Sequence, residues 1–598
     1  TNNSDEGGGG GIKCREGSSP TLSNLTITSN TAVWGGGGIF CLNYSNPTIT
    51  DVIIEDNGME GDGYGGGISL GNSSPLLTNV VIIGNAAYSG GGCDIYISNP
   101  IFTNVTIIDN SAENGGGIWC EDNSSPTLTN CIISNNVADT NGGGLVINQS
   151  YAVIDSCTID SNLAVNGNGG GIDMLGSNGS ITNSTISNNQ ATGEWGGGGG
   201  LIIDNGSPTI SQCNIVGNTA ADAGGGINLN ESDALIESCI ISDNHVIGEG
   251  SAGGGVFCYL SNPYISNCTL SENTAGNGGG ILCEENSSPT VYNSTIENNN
   301  SEIGGGIHII QSNLQLDNSS IIENEGLYGG GGVQIQEGNL QVDSCNFISN
   351  SSPEGRGGAL NASNQDSTTT YQVVLTNNTF TYNSALKAGG VNAWTSPNDA
   401  GLDVVISNCD FHNNSAEVHT GALYISGLNT YFELSDCRFV DNEVVDFVGG
   451  ANFVSYCTGT VSNSLFLNNI AGTGDNDHTG GGASVWAGAE VDFVNCTFTG
   501  NSATNGGGFS IGGESVGNLT NCIFWQNEPN QISVEPWNEL TGILNIAYSD
   551  IQGGLDSIYV VDPSFVVNWE EENINADPLF VDPENGDYAL QFDSPCID

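Results

Sequence analysis

The sequence predicts an all-β protein that folds as a single right-handed parallel β-helix, a solenoid whose coils stack on one another. Three observations predict this fold: a recurring glycine run, apolar residues spaced two apart, and a proline ahead of one apolar segment. The glycine run ends at residues 11, 38, 67, 92, 117, 144, 171, 200, 226, 255, 280, 306, 332, 358, 390, 421, 450, 482 and 508. The mean period of roughly 28 residues is typical of a solenoid with about 20 or more coils.

The repeat NGGGIWCEDNSSPTLTNCIISNN shows how one coil is built. Ile118 and Cys120 are two apart, as are Cys131 and Ile133, and this spacing places each pair on one face of a strand. The three-residue step from Leu128 to Cys131 breaks the alternation and indicates a corner. We therefore expect three short strands and three corners per coil, with about 4.8 Å between neighbouring coils.

Each recurring residue type has a predicted role in the coil. Glycine permits positive φ and close approach of successive backbones. Asparagine in SNT, GNA, DNS, SNL and GNS is predicted to take a left-handed corner, where stacked amides form a hydrogen-bonded ladder. Proline opens a strand, and three glycines per repeat exclude helix. The residue after the run is predicted to form a buried column that includes Ile118, Ile172, Ile227, Ile281 and Ile307.

Two stretches depart from the regular period. Between residues 352 and 480 the spacing lengthens, which predicts coils with longer loops. After residue 525 the period is lost. We therefore expect a parallel β-helix over residues 1–525 and irregular terminal coils that cap it over residues 526–598.

The charge is strongly one-sided, with 66 acidic residues against five Lys and Arg and a net charge of −61. Such a surface repels nucleic acid, anionic membranes and acidic polysaccharides. The sequence shows no initiator Met, no signal segment and no apolar run of 18 residues, so we expect a processed or partial chain with no direct membrane insertion.

The glycine run followed by Ile or Val, and the F-x-x-N motif of Phe347–Asn350 and six later repeats, resemble polymorphic outer-membrane protein repeats. The tail NINADPLFVDPENGDYALQFDSPCID resembles the end of large secreted bacterial right-handed β-helix proteins. The resemblance implies the β-helix fold, export and location outside a bacterial cell or on its surface. It implies no particular molecular activity.

Catalytic motifs are missing. Polysaccharide-cleaving β-helices of the polygalacturonase type need paired Asp motifs, a Gly-His-Gly and an Arg-Ile-Lys, which this sequence lacks. A lyase needs a base and cations for its acidic substrate, whereas the five basic residues are scattered along the sequence. The histidines are predicted to be exposed corner residues: His245, His308, His412, His419 and His478. Only His412 and His419 lie close in sequence.

Cysteines recur at equivalent coil positions, which would bring them about 4.8 Å apart, within the range of a disulfide. The predicted pairs are Cys14–Cys41, Cys131–Cys157, Cys258–Cys283, Cys409–Cys437 and Cys496–Cys522. The alternative is a ladder of buried free thiols that pack as small apolar groups. Export favours the oxidised form.

Three further kinds of site are candidates. Asn-x-Ser/Thr triplets predict possible glycosylation, although chance also produces them: Asn24, Asn72, Asn104, Asn123, Asn183, Asn205, Asn267, Asn286, Asn293, Asn377 and Asn518. Aromatic residues ahead of the glycine run could stack on sugar rings or merely shield backbone: Trp34, Tyr64, Trp195 and Tyr328. The acidic corners DNHVIGEGS, EDNGMEGDG, GTGDNDH and WEEENINAD could bind Ca²⁺ or form a solvated acidic face. No other cofactor is expected.

The sequence thus favours a non-catalytic, rod-like structural protein that is secreted or held at the cell surface. It would be the protomer of an extracellular filament, stacked head to tail with copies of itself, or the stalk of an adhesin. The alternative is a carbohydrate-binding or polysaccharide-cleaving β-helix with glycans as partners.

Overall fold

The computed structural model describes residues 4–5, 7–248, 250–472, 479–536, 542–562, 565–570 and 572–597. The chain forms two compact units, Thr1–Ser301 (unit 1) and Glu302–Asp598 (unit 2). Each unit is a right-handed parallel β-helix with four parallel sheets, and a coil takes about 27 residues. The predicted fold class is confirmed.

A coil of unit 1 contains four strands. In the repeat considered above they are Ile118–Glu121, Thr127–Thr129, Ile132–Ser134 and Val137–Ala138. Each pairs in parallel with its equivalents in the preceding and following coils. The prediction of three strands per coil was wrong, because the fourth strand is only two residues long here and too short to show an alternating pattern.

The coils of unit 2 lengthen mainly in their second strand. One coil consists of Val391–Thr395, Leu402–Ser407, Asp410–His412 and Ser415–Val418. Its second strand has six residues, against three in the unit 1 coil. Part of the extra sequence between residues 352 and 480 therefore extends a sheet.

Coil pairing continues beyond residue 525. Ile532–Glu535 and Ile558–Val560 extend the sheet of first strands, and Ile543–Ala547 and Val566–Trp569 extend the sheet of second strands. The chain ends in an antiparallel pair, Phe580–Asp582 with Asp587–Leu590. Two 3-10 helices, Gly554–Ser557 and Pro583–Asn585, interrupt this region. In the described ranges, no helix has the length and apolar character to cross a membrane.

The core consists of columns of identical or similar side chains. Ile118, Ile172, Ile227 and Ile281 are buried in unit 1, and Ile307 is buried in unit 2, as predicted. In unit 2 the third strands bring phenylalanines into a stack with ring centroids 4.5–4.9 Å apart. Its members are Phe347, Phe380, Phe411, Phe439, Phe466, Phe498 and Phe524. Offset stacking of this kind adds to the stabilisation that burial itself supplies.

The glycine run is required by two separate constraints. Gly115 has φ of 62°, a conformation that residues with a side chain rarely adopt. A Cβ on Gly116 or Gly117 would lie 2.5 Å from the carbonyl oxygen of Gly143 or Gly144 in the next coil. Both predicted reasons for glycine, the positive φ and the close backbone approach, are confirmed.

A ladder of buried asparagines follows the third strand. The Asn189 side chain donates to Asn218 Oδ1 at 3.0 Å and to the carbonyl oxygen of Ile159 at 2.9 Å. Its Oδ1 accepts from the backbone N–H and the Nδ2 of Asn162 at 3.0 and 2.9 Å. The predicted ladder is confirmed, but the left-handed residue is the one before the asparagine, such as Asn188 at φ 53°. Asparagine therefore recurs for its amide and not for its backbone angles.

We expect Asn189→Ala to destabilise unit 1 by about 2–5 kcal/mol, because it leaves buried donors and acceptors of two neighbouring coils unpaired. Hydrogen exchange should show lost protection of the Asn162 amide, whose acceptor is removed. Asn214→Ala, at an exposed strand position, is the matched control and should leave both stability and exchange unchanged. Equal effects of the two substitutions would contradict the role of the ladder.

Candidate functional site

The structure brings two of the four predicted sugar-stacking aromatics together. Trp34 and Tyr64 are 67% and 44% exposed and lie on adjacent coils, with the Tyr64 N–H donating to the Trp34 carbonyl at 3.1 Å. Trp195 and Tyr328, also exposed, lie on other coils and do not line the same surface. Of this set, only Trp34 and Tyr64 share a concave site.

That site, the aromatic groove, has a volume of about 390 Å³. Its lining includes Trp34, Phe40, Leu42, Tyr64, Ser69, Leu70, Gly71, Asp94, Tyr96 and Glu121. Register explains its shape: Phe40, Ser69 and Asp94 align on successive coils, and so do Leu42, Gly71 and Tyr96. Ser69 and Gly71, the small residues of one coil, therefore lie between larger residues of the two neighbouring coils.

Gly71 makes room for the Leu42 side chain. A Cβ at Gly71 would meet Leu42 Cδ2 at 2.6 Å, so Leu42 extends over Gly71. The backbones that carry Leu42 and Tyr96 are about 10 Å apart, because each lies one coil of about 4.8 Å from Gly71. Leu42 therefore fills part of the notch between them. The spacing of the repeats did not reveal this notch. The sequence signal for it was the presence of two small residues, Ser69 and Gly71, on the outward positions of one strand.

The floor of the groove carries carboxyl groups. Asp94 is 5% exposed, and its Oδ2 accepts a hydrogen bond from Ser69 Oγ at 3.0 Å. Burial raises the pKa of Asp94 to about 7, and burial also raises the pKa of Glu121. Near neutral pH the Asp94 carboxyl can therefore donate as well as accept a hydrogen bond.

Asp173 occupies the same position as Asp94 in a later coil of unit 1, the second residue of the first strand. It is 6% exposed, and burial, with a smaller contribution from the charge of Asp204, raises its pKa to about 7. This position faces away from the core but is largely covered by the adjacent glycine run. Carboxyl groups here are consequently desolvated without a cationic partner among the described residues.

The cysteine pairs predicted as disulfides lie on adjacent coils as buried free thiols in this structure. Cys14 is in register with Cys41, and Cys258 with Cys283. The Cys131 N–H donates to Cys157 Sγ at 3.4 Å. The remaining two pairs are close enough for one thiol to hydrogen-bond the other: Cys409 with Cys437, and Cys496 with Cys522. Their oxidation stays a prediction.

Most of the predicted glycosylation sites are solvent-accessible corner residues. Asn24, Asn104, Asn123, Asn183, Asn205, Asn267, Asn286, Asn293 and Asn377 are exposed, and Asn72 and Asn518 are half-buried. All except Asn518 have positive φ. Several side chains hydrogen-bond to neighbouring coils; for example, Asn183 Nδ2 donates to Asp155 Oδ1 at 2.8 Å. Glycosylation stays a prediction.

The histidines do not behave as a uniform set of exposed corner residues. His308 is buried, neither of its ring nitrogens has a hydrogen-bond partner among the described residues, and burial lowers its pKa to about 3. His245 is exposed beside Thr274, and His478 lies outside the described residues. His412 faces Asp441 at 4.0 Å, whereas His419 packs against Tyr424. The prediction of exposed histidines was wrong for His308, because its strand position lies beneath a glycine run, and His412 and His419 are only half-exposed.

Metal ligands do not cluster in the described ranges, where no group of three or more His, Cys, Asp or Glu side chains could hold a metal ion. Of the four acidic corners, GTGDNDH lies almost entirely outside those ranges. Calcium binding stays a prediction.

The basic residues are not all scattered in space, although they are scattered in the sequence. Arg356 and Lys387 pair in register on adjacent coils of unit 2. They lie beside a cleft lined by His419, Tyr424, Phe447, Val448, Phe453, Ser455, Tyr456, Trp486 and Ala487. Aligning the repeats on the first strand would have found them, because Arg356, Lys387 and His419 each lie four residues before it.

Comparisons with known proteins identify the repeat. The profile of the right-handed β-helix region matches residues 1–154, 116–274 and 199–380, more than half of the chain. No curated protein matches the sequence. Among solved structures, the PL6 family alginate lyase AlyGC aligns at 11% identity over 93% of this chain and 97% of that chain, with a TM-score of 0.22. An arginine-to-alanine mutant of that lyase aligns at 11% identity over 96% and 97%, with a TM-score of 0.21. Structural similarity this low carries no argument about this chain.

We expect Asp173→Asn to stabilise unit 1 at pH 8 by roughly 2–4 kcal/mol, with little effect at pH 4. The native state retains the Asp173 proton up to about pH 7, whereas the unfolded chain releases it near pH 4. Wild-type stability therefore falls between these pH values, and the variant lacks this loss. Thermal unfolding across pH 4–8 measures it. Asp139→Asn, at an exposed corner, is the control. A gain independent of pH would contradict the assignment.

Proposed function

This chain belongs to the right-handed β-helix family, and we propose that it is a non-catalytic, extracellular or cell-surface structural protein whose aromatic groove binds neutral carbohydrate. The structural role is that of a filament protomer or an adhesin stalk. The observation that carries the proposal is the groove itself, in which exposed aromatic rings flank a notch with hydrogen-bonding groups on its floor.

The aromatic rings of the groove can pack against the apolar face of a sugar ring. The faces of Trp34, Tyr64 and Tyr96 supply rigid apolar area against which the C–H face of a pyranose ring packs. These three residues come from three successive coils. Trp34 and Tyr64 lie about 4.8 Å apart ahead of their glycine runs, whereas Tyr96 ends the first strand of the next coil. The three rings therefore line the groove from two sides, which suits a short oligosaccharide.

Polar groups on the groove floor suit sugar hydroxyls. Ser69, Asp94 and Glu121 offer donors and acceptors beneath the rings. Because Asp94 and Glu121 are acidic and the net charge is −61, a uronic acid chain would be repelled, whereas a neutral glycan would not. The groove therefore favours neutral sugars.

We expect a neutral hexasaccharide from a panel of glucan, mannan and xylan fragments to bind the full chain. Trp34→Ala combined with Tyr64→Ala should weaken that binding about tenfold or more, since each stacked ring contributes on the order of 1 kcal/mol. Titration calorimetry measures the affinity. Trp195→Ala removes a tryptophan outside the groove that is slightly more exposed, at 77%, and should leave affinity unchanged.

Two results would overturn this proposal. Failure of every neutral glycan to bind, or an equal loss in Trp195→Ala, would remove the groove as a binding site. Release of shorter fragments during the titration, abolished by Asp94→Asn, would replace binding by polysaccharide cleavage, with Asp94 as the proton donor or acceptor.

A further inference from the structure

Two of the five Lys and Arg residues of this acidic protein are neighbours in unit 2. Arg356 is in register with Lys387, and Lys387 with Val418, the residue before His419. Like charges on adjacent strands repel one another. Burial lowers the pKa of Lys387, and the charge of Arg356 makes a smaller contribution. Burial also lowers the pKa of His419, to about 4, with smaller contributions from the charges of Lys387 and Arg356.

Carboxylates do not neutralise this pair. Within the part of the chain that the structure describes, neither Arg356 nor Lys387 forms an ion pair, although the protein has 66 acidic residues. Arg438 provides a contrast, because its Nε lies 3.9 Å from Asp410 Oδ1. The Arg356 guanidinium instead lies 4.6 Å above the ring of Trp394. This stacking holds it in place without cancelling its charge.

An aromatic cleft of about 290 Å³ adjoins the two cations. The Tyr424 and Phe453 rings stack at 5.1 Å, and Phe447 meets Phe453 edge-on at 6.0 Å. Ala388, next to Lys387 in sequence, belongs to the same apolar cluster as Tyr424 and Phe453, with Trp486 packed against it. The cations therefore lie at the edge of the apolar walls.

Few polar groups inside the cleft remain available. Tyr424 and Ser455 hydrogen-bond through their hydroxyls at 3.1 Å, and Ser455 also donates to Ser426 at 2.9 Å. His419 Nδ1 is buried and has no hydrogen-bond partner in the described structure. A ligand therefore meets apolar walls, one open ring nitrogen and, at the edge, two cations that form no ion pair within the described residues.

We propose that this cleft binds a small aromatic carboxylate, with its ring against Tyr424, Phe453 and Trp486 and its carboxylate directed towards Lys387 and Arg356. The volume suits a single ring. A sugar acid fits less well, because its hydroxyls would be buried against apolar walls without partners. An aromatic carboxylate has only one group to satisfy, and that group matches the cations in charge.

Titration calorimetry of the full chain with 3-phenylpropionate tests the proposal. We expect saturable binding that weakens about 10- to 100-fold in Arg356→Gln and in Lys387→Gln, because each removes a charge-assisted partner. Lys387→Arg retains the charge and should retain binding. Arg438→Gln changes the net charge equally in a strand that does not line the cleft, and it should bind as the wild type does.

Two further ligands test separately whether the aromatic ring and the negative charge contribute to binding. Galacturonate carries the carboxylate without the aromatic ring, and 2-phenylethylamine carries the ring with the opposite charge; both should bind at least tenfold more weakly than 3-phenylpropionate. The proposal is overturned if the wild type does not bind 3-phenylpropionate, if galacturonate binds as tightly, or if Arg438→Gln loses as much affinity as Lys387→Gln. Circular dichroism of each variant confirms that it is folded.

Discussion

In unit 1, the contact between the last glycine of a run and the ladder asparagine of the same coil is the constraint on which the coil depends; in three coils of unit 2, Ala359, Ala422 and Ala451 occupy that glycine position. A Cβ on Gly171 would lie 3.0 Å from the Asn189 amide and 2.5 Å from the Gly200 carbonyl oxygen. The asparagine amide thus occupies the space that a side chain would need, and it joins the preceding coil to the following one. Glycine and asparagine recur together because the glycine, which has no side chain, leaves the space that the asparagine amide fills.

Because the strands of successive coils pair in a fixed register, the side chains at each position of the repeat form a column. Residues about 27 apart in sequence become neighbours, so a surface feature depends on which residues occupy equivalent positions of successive coils. Ser69 with Gly71 between bulky neighbours produces the aromatic groove of unit 1, and Arg356 with Lys387 produces the cationic edge of the cleft in unit 2. Each coil can vary these outward positions while its glycine and asparagine positions maintain the stack.

The two surfaces carry opposite charge. In the aromatic groove, Asp94 and Glu121 lie beneath exposed rings. Burial raises the pKa of both carboxyl groups, and that of Asp94 to about 7. In the cleft, Arg356 and Lys387 lie beside rings that are mostly buried. An acidic protein concentrates cations against their mutual repulsion only where local contacts fix them, and here Trp394 and the apolar cluster around Ala388 supply those contacts. The ligands proposed for the two sites, a neutral glycan and an aromatic carboxylate, differ in charge accordingly.

The sequence by itself determined the solenoid, its period, the buried isoleucine column and the asparagine ladder, because each repeats often enough for its spacing to be read directly. It missed the fourth strand, which in the coil of Ile118 is marked by Ala138 alone, and it assigned the left-handed angle to the asparagine instead of the residue before it. Tertiary structure alone decided which aromatics meet, that His308 is buried, and that Arg356 lies beside Lys387. These features depend on single side chains that differ from coil to coil, so only the register between coils shows which of them are neighbours.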